Sequence, residues 1–434
     1  MAIPSESLAV LGGTVVDSTG ERRADVLVEN GRIAAVGEGL RAPAGARVLD
    51  AGGCVVAPGL VDVHTHLREP GGETAETIES GARAAALGGF SAVVAMPNTS
   101  PAIDCAAVVH EVLALGRAAA VQVAVAGAIT VGRDGTRLAP LAEMAALGVR
   151  LFTDDGRGVQ DAGLMRRALQ YAGPLGIVLA QHCEDERLAA GGSMHEGEWS
   201  SRLGIPGQPA LAEEAMLARD LGLVRLTGSP MHFLHLSTAG SVALLAAARA
   251  EGLPVTAEVT PHHLRLTDAL VAGFDPVFKV NPPLRPASDV AALRAALASG
   301  VLDAVATDHA PHPPELKDEP FELAPPGMLG LETAFSVAYE AVCATGLMAL
   351  RDLVGAMSWR PARIAGLEHQ GGPVAPGRVA NLSVLDLAAT WTVDATKLAS
   401  RSLNTPYAGE RLTGRARHTV SGGVAVVVDG VAQA

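Results

Sequence analysis

Apolar and polar positions along the chain follow two rhythms. Over residues 1–58, short β-type runs such as LAVLGGTVVD and DVLVENGRIAAVG are punctuated by Gly and Asn turn signals, and residues 370–434 return to that style in GRVANLSVLDL and HTVSGGVAVVVDG. The two ends are therefore expected to meet in one small β-sandwich. Between them, over residues 59–369, short apolar runs alternate with stretches of helical period such as ETIESGARAAAL and GSVALLAAARAEG. That alternation is the signature of repeated βα units around a parallel sheet. Eight candidate strands lead into VDVHTHL, FSAVVAMPN, VQVAVAGA, VRLFTDD, IVLAQHCED, MHFLHLS, VTAEVTPHH and LDAVATDHAPH. The count fits an α/β fold of the (β/α)8 TIM-barrel type better than an open doubly wound sheet.

Composition narrows the classes of function. The 434 residues, 49% of them hydrophobic, suffice for a barrel of about 250 residues plus a satellite unit. A formal charge of -13 without a Lys/Arg-dense run excludes a nucleic-acid footprint and an anionic membrane surface as partners. The four cysteines form no CxxC pair, and no Lys or Arg precedes an apolar stretch in the first ten residues. Reduced thiols, no secretory signal and a cytoplasmic location are the expectation. The uncharged stretch 84–103 holds two Gly and two Pro, which suits a strand with its loops rather than a membrane helix.

Polar residues gather where the candidate strands end, and the C-terminal strand face of such a barrel is where chemistry is assembled. His64 and His66 sit two apart, so a strand would turn both imidazoles to the same side. Alone, an HxH pair more often just caps a strand. Here His182, His235, Asp308 and the pair Asp154 and Asp155 end other strands. Neutral imidazole with carboxylate is a donor set for zinc and its first-row neighbours, manganese and cobalt included.

The motifs VDVHTHLREPG, AMPNTSP, TDDGRGVQ, HCED, HLSTAGS, EVTPHHL, NPPLR and ATDHAPH, in this order across the barrel, resemble those of the dihydroorotase family within the amidohydrolase superfamily. The resemblance implies two Zn2+ ions, one held by His64, His66 and Asp308 and a second by His182 and His235, with Asp155 bridging them. Many relatives bridge with a carboxylated lysine; here no lysine precedes Lys279, and Asp155, just before GRGVQ, matches the family's bridging position. Asp154 is then a neighbour that supports the turn. Asp308 is the implied catalytic acid and base. Substrate contacts carry over to His66, Arg68, Asn98, Asn281, His312, Pro326 and Gly327, a guanidinium and amides suited to an acidic ring. The bland alternative for Arg68 is an ion pair with Glu69. Family members often carry an aromatic residue where Pro326 stands.

The implied reaction is reversible closure of N-carbamoyl-L-aspartate to dihydroorotate in pyrimidine biosynthesis. Two rivals stand beside it: a hydantoinase-like or allantoinase-like hydrolase, which Arg68 in HTHLR disfavours, and a non-catalytic scaffold for aspartate carbamoyltransferase, which the full ligand set disfavours. Homodimer formation and association with aspartate carbamoyltransferase stay open. His262 and His263 are read as pocket-wall or structural residues, and His110, His195, His232, His369 and His418 receive no role.

Overall fold

The computed structural model describes residues 7–433, so residues 1–6 of the expected first unit and residue 434 of the last lie outside the described residues. Eight strands follow one another in the middle of the chain: β1 (Leu60–Thr65), β2 (Phe90–Ala95), β3 (Gln122–Val125), β4 (Leu151–Thr153), β5 (Val178–Gln181), β6 (Met231–Phe233), β7 (Val255–Val259) and β8 (Ala304–Val305). Each coincides with one of the runs picked out by periodicity, the first starting one residue ahead of its run. β1 to β3 form one parallel sheet and β4 to β8 a second. Two isolated parallel bridges, Gly127 with Phe152 and Thr65 with His309, connect the outer strands of the two sheets.

Both faces of these strands are covered, which is why they read as nearly continuous apolar runs. One face carries small and branched residues, among them Val61, Val63, Ala92, Val94, Ala180, Ala304 and Ala306, in a single buried cluster. The other face, with Leu60, Phe90, Phe152, Leu179 and Phe233, packs beneath the helices. Those helices start where local chemistry asks them to. Thr77 and Ser80 form a capping box for Ile78–Leu87, Asp161 caps Ala162–Leu175, and Thr238 caps Ala239–Ala250. Each such cap contributes about 1 kcal/mol by satisfying an orphan N–H.

Strands from the two ends of the chain share a seven-stranded sheet. Thr14–Asp17, Gly20–Arg23 and Val55–Pro58 lie beside Leu382–Thr392, Arg411–Ser421, Val424–Val428 and Val431–Ala432. A four-stranded sheet of Leu8–Leu11, Asp25–Glu29, Arg32–Gly37 and Arg47–Asp50 contributes Leu8, Val10, Val26 and Leu49 to an apolar cluster with Val56, Leu382, Val384 and Val420 of the first. The chain passes from this region into β1 through Gly59, where a Cβ would stand 2.0 Å from Ser91 Oγ. No helix among the described residues is long and apolar enough to cross a membrane.

The stretch between β5 and β6 departs from simple βα alternation. It holds a two-residue pair, Met194–His195 with Gly207–Gln208, around the short helix Glu198–Leu203. Elements of two residues carry no periodicity, so nothing in the hydrophobic pattern announces them.

Candidate metal centre

The C-terminal ends of β1, β4, β5, β6 and β8 bring six side chains to one buried spot. His64 and His66 come from β1 and the residue after it, Asp155 from just past β4, His182 from just past β5, His235 from just past β6, and Asp308 from beyond β8. Ligand-type atoms of His64, His66 and Asp155 lie within 4.8 Å of one another, and so do those of Asp155, His182 and His235. Asp155 is common to both groups. Its Oδ1 stands 3.5 Å from His64 Nε2, 3.6 Å from His182 Nδ1 and 3.7 Å from His235 Nε2, while Oδ2 is 3.4 Å from His66 Nε2. Asp308 Oδ1 lies 2.9 Å from His66 Nε2 and 3.5 Å from His64 Nε2.

Asp154 faces the other way. Its Oδ1 accepts the backbone N–H groups of Ile129 and Thr130 at 2.9 and 3.0 Å, and its Oδ2 accepts the Thr130 hydroxyl. One carboxylate of the pair thus anchors a turn and the other enters the cluster. Arg133 steadies the latter by donating to the Asp155 carbonyl at 2.7 Å.

The charge balance calls for a cation. Burial alone would depress the His64 pKa, yet Asp155, Asp308 and Glu258 hold it well above the ordinary imidazole value. Burial likewise opposes protonation of His182, but Asp155 and Glu184 push it up to about 10. Burial raises Asp155 and Asp308, and nearby imidazoles led by His64 outweigh it, so both carboxyls sit below their usual range. His66 goes down instead, through burial and the charge of Arg68. Protons on imidazole are what this carboxylate excess collects in the absence of another positive charge, and a divalent ion replaces them. Two observations fit that exchange. The buried atoms His64 Nε2 and His235 Nδ1 have no hydrogen-bond partner, and His182 Nδ1 and His235 Nε2 face each other at 2.9 Å.

Beside the cluster opens a cavity of about 180 Å³ lined by His66, Arg68, Asn98, Asp155, His182, His235, Asn281, Asp308, His312, Pro326 and Gly327 among others. Every residue expected at the site except the fully buried His64 lines it. Arg68 donates from Nε to the Pro311 carbonyl at 3.1 Å and forms no ion pair among the described residues. Glu69, its suspected partner, instead accepts the N–H of Ile78 at 2.8 Å. Asn98 Oδ1 lies 2.8 Å from His66 Nδ1, and Asn281 Nδ2 donates to Glu184 at 2.7 Å. His312 Nε2 donates to the Pro326 carbonyl at 2.9 Å. Gly327 has φ +138 and a Cβ there would come within 2.8 Å of His312 Nε2, so only glycine fits this wall. His262 and His263 are not among the residues that line the cavity; His263 bonds Thr260 and the Pro282 carbonyl, the structural one of its two expected roles.

Several contributors escaped the sequence reading. Glu258 lies 2.7 Å from His64 Nδ1, Glu184 lies 3.4 Å from His182 Nε2, and Asp62 accepts the N–H groups of His64 and Thr307. Asn404, far along the chain, binds the Gly327 and Ala310 carbonyls. For Glu258 and Asp62 a signal was present: a carboxylate inside an apolar parallel strand must find a partner. For Asn404 there was none.

A family model described as Dihydro-orotase-like matches residues 53–241. A dihydroorotase from Pelotomaculum thermopropionicum is 50% identical over 426 residues, 98% of this chain and 99% of that relative. Another from Streptomyces coelicolor is 51% identical over 94% of this chain and 95% of its own length. The chain belongs to the dihydroorotase family. Its fold is shared more widely: the L-hydantoinase (dihydropyrimidinase) from Arthrobacter aurescens superposes with a TM-score of 0.88 at 27% identity, covering 98% of this chain and 97% of that one. Membership of the dihydroorotase family, with hydantoinases as structural neighbours, makes this an enzyme of cyclic amide hydrolysis. The His and Asp cluster is a group of ligand-type side chains that could hold a metal ion.

Proposed function

We propose that the protein interconverts N-carbamoyl-L-aspartate and (S)-dihydroorotate, releasing water on ring closure, as a step of pyrimidine biosynthesis. The observation that carries this reading is Arg68: a guanidinium without a carboxylate partner among the described residues, lining the same cavity as the His/Asp cluster. A cyclic amide bearing a carboxylate needs both. The volume of about 180 Å³ lies below the roughly 300–1,000 Å³ of drug-sized sites and suits a single small ring.

Two zinc ions are the proposed occupants, His64, His66 and Asp308 serving one, His182 and His235 the other, with Asp155 between them. When bound, such ions polarise a carbonyl and generate a water nucleophile near neutral pH. The protein's own groups do the rest. Asp308 accepts the proton of the attacking water and delivers it to the departing ring nitrogen, general base followed by general acid. In the closing direction the same carboxyl runs both transfers in reverse. Arg68 takes the substrate carboxylate, Asn281 and Asn98 add amide hydrogen bonds, and His66, His312, Pro326 and Gly327 complete the wall.

The architecture proposed around this site is a closed (β/α)8 barrel over residues 59–369, supported by the Gly127 and Thr65 bridges between the two parallel sheets. Residues 1–58 and 370–434 would form the β-sandwich, supported by the apolar cluster their sheets share. A cytoplasmic location belongs to the same reading.

The test is ring opening of dihydroorotate by purified protein before and after chelation, with 5,6-dihydrouracil, the same ring without its carboxylate, in parallel. Turnover of dihydroorotate lost on chelation and restored by zinc is expected. No turnover by the zinc-loaded protein, or equal turnover of both rings, rejects the assignment.

A further inference from the structure

A line of buried polar side chains runs from the metal cluster through the apolar interior toward the N-terminal ends of the strands. His64 Nδ1 is 2.7 Å from Glu258 Oε1, Glu258 Oε2 is 3.0 Å from His232 Nε2, and His232 Nδ1 is 2.8 Å from Thr256 Oγ1. His64, Glu258 and His232 are fully buried. Thr256 is half-buried and lines a separate cavity of about 450 Å³ with Met231 and Val255, at the strand ends opposite to the chemistry. Glu258 also accepts the backbone N–H of His235 at 3.4 Å. One carboxylate on β7 thus gathers a side chain from β1 and both a side chain and a backbone group from β6 and its end.

Burying such a line is expensive. An apolar set of the same volume commonly packs at no loss of stability, so the polar set needs a reason in the site it touches. Hydrogen-bond chemistry supplies that reason, because with His232 neutral and Glu258 ionised the line admits one self-consistent arrangement of protons. The Thr256 hydroxyl donates to His232 Nδ1, His232 Nε2–H donates to Glu258, and His64 Nδ1–H donates to the other oxygen. The ring nitrogen of His64 left facing Asp155 and Asp308 is then Nε2, an atom that has no partner in the protein.

We infer that Glu258 and His232 are positioning residues that fix the tautomer and aim of His64, and that Thr256 anchors the line at its far end. Carboxylate-to-imidazole contacts of this kind hold a ligand ring in place and raise its basicity, and their loss typically weakens metal binding about 10- to 100-fold. The inference rests on the metal reading of the site, and its test separates the two.

Zinc affinity is to be measured by chelator competition for the wild type and for His232→Ala, Glu258→Gln and Thr256→Val, with ring nitrogen protonation read by 15N NMR. The expected result for His232→Ala is a loss of zinc affinity of about 10- to 100-fold with KM unchanged and kcat recovered in excess zinc. For Glu258→Gln, the His235 N–H keeps the amide oxygen toward His64. His64 therefore retains its Nδ1 proton, while the amide nitrogen forces His232 to move its proton to Nδ1. A thermal melt of each metal-free variant establishes that it is folded. A folded His232→Ala whose zinc affinity changes less than fivefold overturns the inference, and so does a wild-type His64 that carries no proton on Nδ1. If the wild type shows that proton and the expected His232 switch but binds no zinc, the metal reading fails and the positioning role stands.

Discussion

The two walls of the cavity are held in different ways. On the metal side, side chains at strand ends are braced by other side chains, one fully buried and two half-buried: Glu258 behind His64, Glu184 beside His182, Asn98 beside His66. On the substrate side the residues sit in loops whose backbone carbonyls are tied down one by one. Pro325 O accepts Lys317 Nζ at 2.8 Å, Pro326 O accepts His312 at 2.9 Å, and Gly327 O accepts Asn404 at 3.1 Å. Lys317 also reaches the Pro276 carbonyl at 2.9 Å. The metal wall is therefore set by charge and geometry inside the core, where an error leaves an unpaired buried charge. The substrate wall is set by single hydrogen bonds to backbone carbonyls, where each loss is modest.

Backbone strain is found on both walls. Only seven non-glycine residues among those described have positive φ, and Arg68 (62°), His235 (30°) and Asp308 (48°) are three of them, with Arg133 (54°), which steadies Asp155, a fourth. Backbone in that region costs on the order of 1–3 kcal/mol per residue and persists where surrounding contacts over-determine it. At Asp308 those contacts are visible. Asp62, a carboxyl that burial pushes up to about 7, accepts the Thr307 N–H, and the His309 carbonyl accepts the N–H of His66.

The sharpest way to break the contrast is at its chemical centre. Asp308→Asn keeps shape and removes the proton acceptor, so kcat should fall roughly 10²- to 10⁴-fold with the fold intact by thermal melt. A loss under tenfold would remove Asp308 from its role. Next comes the adjacent pair. Asp155→Ala should strip metal from the purified protein by elemental analysis, whereas Asp154→Ala should keep the metal and lower stability by about 1–3 kcal/mol through its orphaned Ile129 and Thr130 N–H groups. Equal metal content in both would erase the distinction. On the other wall, Arg68→Met should raise KM for dihydroorotate roughly 10- to 100-fold, the loss of a charge-assisted contact worth about 1.5–3 kcal/mol, with metal content unchanged.

The smallest effect belongs to Lys317. Lys317→Met should raise KM severalfold at constant metal content by freeing the Pro325 to Gly327 segment. Burial lowers the Lys317 pKa to about 7, the nearby Lys279 adding to the effect. In the unfolded chain this amine titrates near 10.5, so between about pH 7 and 10.5 the unfolded state holds the proton and the folded state does not. Stability should therefore rise with pH across that window in the wild type, and less steeply in Lys317→Met. Parallel melting curves for the two proteins over that range would discount the burial of this ammonium.

Much of the site could be read before any coordinates because each His or Asp of the cluster lies at or close to the end of a strongly apolar run. A period of two put His64 and His66 on one side, and the recurrence of His and Asp at other strand ends made a shared mouth the natural inference. Asp154 and Asp155 marked the limit of that approach. Adjacent in sequence and identical in type, they were separated by comparison with a family, whereas the physical separator is the set of Ile129 and Thr130 donors some two dozen positions upstream.

The eight parallel strands, their alternation with helices and the identity of the His and Asp side chains at their ends were determined by the sequence alone, since periodicity and residue type are local properties. Which buried carboxylate stands behind which imidazole, which carbonyls bind Lys317, His312 and Asn404, and the return of the chain's end to pair Leu382–Thr392 with Val55–Pro58 were decided only by the tertiary structure. Those contacts join residues tens to hundreds of positions apart. Their energies depend on burial and direction, and neither exists until the chain has closed on itself.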